Sequence, residues 1–294
     1  MVTAELRILS VDLLDQERAL VEEFRGLSAS LGVPLGWHYL LDLPWAARQL
    51  SDLRPGMRVL DAGAGRGLMQ WWLSDHGIDV ISVDRTNRQN LPRTLRILYP
   101  IRGMRAGDLL APPPPGLRDI LRSLRARFGA RRQKGNVTIY NQDLARMPEI
   151  PDVSVDAIVS ISSLEHNTPE GLQDCLAELW RVLKPGGKLV ATLGAAKSSD
   201  WFHEPSKGWC YTEATLRRVF DLPESAPSNY GEYDVLMAKL RDCTQLKNGL
   251  APVYFQGGNN GMPWGKWDPK YQSVGVIKTR SATPLPGAPV RGRA

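Results

Sequence analysis

The apolar positions of this chain change their period along its length. Over residues 12–31, Leu13, Leu14, Leu20, Val21, Phe24, Leu27 and Leu31 stand among charged side chains at helical spacing, which predicts an amphipathic helix. Gly32, Pro34 and Gly36 interrupt it. A second helical pattern runs from Trp37 to Leu53, where Arg54-Pro55-Gly56 stops it. From there the apolar runs shorten. Met57–Asp61, Asp79–Asp84, Val137–Asn141, Ala157–Ile161 and Lys188–Leu193 read as strands, with helices at Gly67–His76 and Pro169–Leu183. The second of these helices closes at Lys184-Pro185-Gly186-Gly187. Repeated strand–helix units predict an α/β protein with a doubly wound parallel sheet and helices on both faces. Helical patterns at Thr212–Phe220 and Tyr233–Leu246 precede a closing strand at Tyr271–Lys278.

These patterns divide the chain into an N-terminal helical cap (1–52), a main domain (53–280) and a Pro/Gly-rich tail (281–294) expected to be disordered. Two stretches inside the domain break the rhythm. Residues 88–135 contain four consecutive prolines (Pro112–Pro115), followed by Leu117, Ile120, Leu121, Leu124 and Phe128 at helical spacing between arginines. Residues 197–270 are irregular and rich in tryptophan, glycine and proline.

Composition narrows the class. With 43% hydrophobic and 23% charged residues in 294, the chain is neither disordered, collagen-like nor a disulfide mini-protein. No apolar run approaches the roughly 20 residues that span a bilayer. Glu5, Arg7, Asp12 and Asp15 interrupt any secretory leader. Cys175, Cys210 and Cys243 are odd in number and far apart, so they read as reduced thiols of a cytoplasmic protein, neither a disulfide frame nor a metal set. The net charge of +6 is uneven: residues 91–134 hold eleven basic and two acidic side chains, a local +9 that leaves the remainder at −3. Such a segment could dock RNA phosphates, lie on an anionic membrane surface through 117–128, or form a solvated lid helix.

The chemistry gathers at Val59-Leu60-Asp61-Ala62-Gly63-Ala64-Gly65-Arg66-Gly67, between a predicted strand and a predicted helix. The glycines let backbone approach a ligand closely. Their G-x-G-x-G spacing departs from the dinucleotide fingerprint. Asp61, two residues before the first glycine, would oppose a pyrophosphate but could pair with an ammonium group. Asp84 ends the next strand, 21 residues after Gly63, where a carboxylate accepts the hydroxyls of a ribose. Asp143 follows the third strand.

With Asp156-Ala157-Ile158-Val159-Ser160 and Leu183-Lys184-Pro185-Gly186-Gly187, these motifs resemble the class I S-adenosylmethionine-dependent methyltransferases over about Leu53 to Leu193. The resemblance implies a Rossmann-like, seven-stranded sheet with an antiparallel last strand, and S-adenosyl-L-methionine as cofactor. It also implies that Asp61, Gly63, Gly65, Asp84, Arg85, Asp143 and Leu144 bind the cofactor, with Ser162 and Ser163 beside its methionine end.

Two histidines are candidate catalytic bases. His166 follows the fourth strand in Ser163-Leu164-Glu165-His166-Asn167, where it could equally be a hydrogen-bonded helix-start residue. His203 follows the fifth, in Asp200-Trp201-Phe202-His203-Glu204-Pro205. Glu165 and Glu204 could join them around a metal, although no ligand spacing demands one. His38 and His76 read as scaffold. Trp201, Trp209, Tyr211, Tyr230, Trp264 and Trp267 would suit a sugar or planar acceptor, or supply core. The fourth strand lacks the Asp/Asn-Pro-Pro-aromatic ending of the adenine and cytosine amino-methyltransferases, which weighs against nucleic acid. The expected function is methyl transfer to an oxygen of a small-molecule acceptor. The alternatives are an RNA methyltransferase docking through 91–134 and a non-catalytic cofactor-binding scaffold.

Overall fold

The computed structural model describes residues 4–103, 133–249 and 267–281. Among these, ten strands form one sheet. They are β1 (Ala4–Ile8), β2 (Arg58–Ala62), β3 (Asp79–Asp84), β4 (Ile101–Gly103), β5 (Val137–Asn141), β6 (Val155–Ile161), β7 (Leu183–Ala195), β8 (Trp201–His203), β9 (Gly208–Tyr211) and β10 (Gln272–Thr279). The order across the sheet is β1-β10-β7-β6-β2-β3-β5-β4, with β9 and β8 attached at the end of β7. Pairs from β7 to β4 are parallel, and β10 runs antiparallel to β7, the orientation expected of the last strand.

Alternation along each strand divides the core between the two faces. Val59, Val80, Ala157 and Val190 face a layer built from α1 (Leu13–Gln16), α2 (Arg18–Leu31), α3 (Tyr39–Gln49) and α4 (Met69–Asp75), with Phe24, Trp37, Trp45 and Trp71 at its centre. Leu60, Ile81, Ile158 and Ala191 face the other layer, where α6 (Pro169–Val182) and α7 (Glu213–Val219) lie. The start of α6 is set locally: Pro169 opens the helix and the Thr168 hydroxyl accepts the Gly171 N–H at 3.2 Å. Three short helices, α5 (Arg93–Leu98), α8 (Tyr233–Asp242) and α9 (Thr244–Gly249), complete the described chain. Among the described residues no helix is long and apolar enough to cross a membrane.

The fold departs from the sequence expectations in four places. The N-terminal stretch is not helical throughout, because Ala4, Leu6 and Ile8 alternate with Glu5 and Arg7 and form β1 along β10. Its outer edge is covered: the Leu6 N–H donates to the Pro227 carbonyl at 2.9 Å and the Ile8 N–H to Asn229 Oδ1 at 2.7 Å. β1 therefore belongs to the main sheet, across the proposed boundary at 52, and the sheet has more than the seven expected strands. The predicted helix over 12–31 is two helices parted at Glu17. The basic stretch contains α5 and β4, while its proline run and the 117–128 pattern lie outside the described residues, as do Trp264 and 282–294. In the 197–270 region, β8 and β9 form a hairpin that an irregular composition concealed.

Leu6 is almost fully buried (1%) where β1 seals the edge of β10. We expect Leu6→Ala to lower the unfolding free energy by about 3 kcal/mol, from lost burial and the cavity left behind. Urea denaturation measures this, and a change within about 0.5 kcal/mol would mean that β1 contributes nothing to the edge.

Candidate active site

The C-terminal ends of β2, β3 and β6 meet where chain order reverses across the sheet, the place where open α/β sheets bind ligands. β2 leads into Gly63, whose φ of +72° and position against β6 both require glycine: a Cβ there would lie 1.6 Å from Ser163 Oγ. The Gly65 N–H donates to Asp84 Oδ2 at 2.8 Å, and the Thr86 N–H to the other Asp84 oxygen at 2.6 Å. Asp84 thus fixes the glycine loop to the end of β3. Farther along, Arg85 pairs with Asp143 Oδ2 at 2.7 Å, and Asp143 Oδ1 accepts the Ala145 N–H at 3.0 Å.

These residues wall a cavity of about 540 Å³. Asp61, Gly63, Gly65, Asp84, Arg85, Asp143, Leu144, Ser162 and His166 all lie on it, so the structure brings together every candidate except His203. Tyr39 and Leu43 of α3, with the 33–35 loop before it, close the other side.

Beneath the cavity runs a polar network that sequence reading missed. Arg88 is fully buried and donates to Ser82 Oγ (2.5 Å), the Ser82 carbonyl (3.0 Å) and the Tyr140 carbonyl (2.7 Å). The Ser82 hydroxyl in turn donates to Gln70 Oε1 at 2.7 Å, and the Gln70 amide donates to the Gly67 carbonyl at 3.1 Å. Burial pushes the Asp61 carboxyl up to about 7; the Asp84 charge adds to this and the Arg88 charge opposes it. The same burial lowers the Arg88 guanidinium to about 10, against the pull of Asp84 and Asp61.

A second chamber of about 260 Å³ shares three wall residues with the first: Tyr39, Ser162 and His166. Ser162 is held at φ +46°, with its N–H donated to the Thr192 carbonyl. His166 Nδ1 stands 2.9 Å from the Lys207 carbonyl, which can only accept, so Nδ1 carries the proton and Nε2 the lone pair. Glu165 and His38 also line this chamber. Expected scaffold, His38 is half of a buried pair, with Nδ1 2.9 Å from Asp42 Oδ2.

His203 lies apart from both cavities. It is buried (4%) at the end of β8, with Nδ1 2.7 Å from Ser206 Oγ and its ring edge-on to Trp201 and Tyr271. The hairpin turns it inward, and burial lowers its pKa. Nor do Glu165, His166, His203 and Glu204 converge on a metal: Glu204 pairs with Lys207, and no metal-holding group of three such residues occurs among the described residues. Of the aromatic candidates among the described residues, only Trp209 lines the second chamber. Tyr211 and Tyr230 are buried donors to backbone carbonyls, and Trp267 packs edge-on against Trp37. Within the basic stretch, Lys134 is tied to Asp75 over the Tyr99 ring and Arg96 to the Gln89 carbonyl, while Arg105 through Arg132 lie outside the described residues.

Residues 118–191 match the family model described as a methyltransferase domain. The chain is 26% identical to a demethylmenaquinone methyltransferase of Beutenbergia cavernae over 224 residues, 76% of this chain and 74% of that one. A second demethylmenaquinone methyltransferase, from Renibacterium salmoninarum, is also 26% identical, over 68% of this chain and 66% of its own length. In fold it matches the solved structure of the [4+2]-cyclase SpnF, with a TM-score of 0.50, 14% identity, and 94% and 98% of the two chains covered. The chain carries a methyltransferase domain on the Rossmann-like fold of the class I S-adenosylmethionine-dependent enzymes.

The methyltransferase's cavity suits S-adenosylmethionine. It offers a buried carboxylate whose ionisation burial opposes, a second carboxylate at the neighbouring strand end and a glycine loop in which Gly63 has no room for a Cβ.

The raised Asp61 pKa has a definite sign. A carboxyl that ionises near 3.8 when unfolded and near 7 when folded costs no stability at pH values below both. The cost grows as pH rises between them and is complete above 7. Asp61→Asn is therefore expected to stabilise the ligand-free protein by about 2–4 kcal/mol at pH 8. That advantage should shrink at pH 5.5, as read by urea denaturation at the two pH values. For Arg88→Met, loss of the buried guanidinium should lower stability by about 3 kcal/mol, since Ser82 and the two carbonyls lose their donors.

Proposed function

We propose that this methyltransferase transfers the methyl group of S-adenosylmethionine to an oxygen of a small-molecule acceptor. Asp61 binds the cofactor's ammonium, Asp84 its ribose hydroxyls, and Asp143 with Arg85 and Leu144 its adenine. Gly63 and Gly65 give the backbone close approach, and Ser162 lies beside the methionine end. The bound cofactor supplies an electrophilic methyl on a sulfonium sulfur. The protein's task is then to hold the acceptor oxygen in line with that methyl and to remove its proton.

The observation that carries this reading is the position of His166 on the wall common to both chambers, with Nδ1–H given to the Lys207 carbonyl. Its Nε2 lone pair is the proton acceptor. Tyr39 and Ser162 share that wall and guide the acceptor toward the cofactor chamber. A small acceptor agrees with the size of the second chamber, about 260 Å³, and the relatives' name, demethylmenaquinone methyltransferase, favours a small molecule over nucleic acid.

Calorimetric titration with S-adenosylhomocysteine is expected to give micromolar binding, about −8 kcal/mol, weakened at least about tenfold, or ~1.4 kcal/mol, in Asp84→Ala. With methyl-labelled S-adenosylmethionine and separated small-molecule and RNA fractions as acceptors, label should enter a low-molecular-weight product. His166→Gln should lower kcat about a hundredfold with little change in KM. Label entering RNA, or a His166→Gln enzyme of undiminished kcat, would reject the proposal.

A further inference from the structure

The second chamber holds a group that methyl transfer to oxygen does not require. Glu165 is buried (7% exposed) and lines the chamber beside His166. One carboxylate oxygen accepts the Ser162 hydroxyl at 2.5 Å, while the other, Oε2, is buried without a hydrogen-bond partner. Burial raises its pKa against the opposing influence of His166, the Ser162 hydroxyl and His38. Neither histidine donates to Oε2: the Nδ1 of His166 is engaged by the Lys207 carbonyl and that of His38 by Asp42. Among the described residues no lysine or arginine lines the chamber, and the nearby Lys207 is paired with Glu204.

A buried carboxylate oxygen with no partner is costly, and native structures rarely keep one without a purpose. The rest of the wall indicates what satisfies it. Tyr39, Trp209 and Tyr271 line the same small chamber, and aromatic faces attract a desolvated cation. An anion would meet Glu165 as a like charge. A neutral apolar group would leave Oε2 unpaired.

We propose that the acceptor carries an amine, and that Glu165 binds it as an ammonium group within the aromatic walls of the second chamber. This rests on the proposed methyl transfer, because it assigns the second chamber to the acceptor. Glu165 is then an acceptor-binding residue, and the acceptor class is an amine-bearing hydroxy compound. Its hydroxyl faces His166 and its ammonium faces Glu165.

Three near-isosteric probes test this on the whole protein saturated with S-adenosylhomocysteine: tyramine, tyrosol and 4-hydroxyphenylacetate. They present an amine, an alcohol and a carboxylate on the same hydroxyphenyl frame. Ligand-observed NMR titration of the wild type is expected to show tyramine binding at least about tenfold tighter than either of the others, a difference of ~1.4 kcal/mol. In Glu165→Gln that preference should vanish. Equal binding of the three probes by the wild type, no binding by any of them, or a tyramine preference that survives Glu165→Gln in a folded variant would overturn the proposal. The wild-type comparison needs no variant, so misfolding of Glu165→Gln leaves it decisive. A wild type that fails to bind S-adenosylhomocysteine rejects the cofactor reading instead, and the same probes on that protein still judge the chamber.

Discussion

The site depends on one buried cation. Arg88 is fully enclosed beneath the ends of β3 and β5, and its hydrogen bonds hold Ser82 and the Tyr140 carbonyl in fixed positions. Ser82 passes that constraint to Gln70, and Gln70 to the carbonyls of the glycine loop. The loop's outer side is held by Asp84 through the Gly65 N–H. A cavity wall made of glycine would otherwise be the most pliable part of the fold. Here it is clamped from below by a guanidinium and from the side by a carboxylate. The positive charge also opposes the nearby Asp84 charge, which adds to the cost of ionising the buried Asp61.

Sequence reading succeeded where a pattern is local. β3 and β5 fall on their expected residues because an apolar run ending in a polar residue is visible within six positions. The glycine loop and its carboxylates were legible because backbone freedom and charge are written at adjacent positions. Arg88 and Gln70 were not, since their role comes from partners on other strands and nothing in their neighbours marks them as buried. β1 was lost because its alternation of Ala4, Leu6 and Ile8 is only five residues long, and its partner, β10, lies at the far end of the described chain. The β8–β9 hairpin was hidden because its two strands are three and four residues long.

The histidines illustrate why residue type and position after a strand are not enough. His166 and His203 stood at equivalent sequence positions, each after a strand end, yet the backbone sends them in opposite directions. His166 sits in a short 3-10 turn (Leu164–His166) on the cavity wall, whereas His203 is folded under by its hairpin. His38 precedes α3 in an apolar setting that reads as packing, but Asp42 lies one turn away and hydrogen-bonds its Nδ1. Helical geometry alone brings residues i and i+4 together, so that pair was available in the sequence as a spacing. What the sequence withheld was the chamber that His38 lines.

The two chambers share a wall just after β6, where Ser162 holds a positive φ. Ser162 occupies the left-handed region, its neighbour Ser163 lies against Gly63 so closely that no Cβ fits, and the Ser162 hydroxyl binds Glu165. A displacement of the glycine loop would press on Ser163, and through Ser162 it would reach the carboxylate of the second chamber. Both chambers also hold a buried carboxyl whose ionisation burial opposes, Asp61 in one and Glu165 in the other. A ligand that brings a positive charge relieves that penalty, so its binding free energy adds to the stability of the folded chain. The cofactor's ammonium does this for Asp61 in the proposed function, and the proposed acceptor's ammonium does it for Glu165.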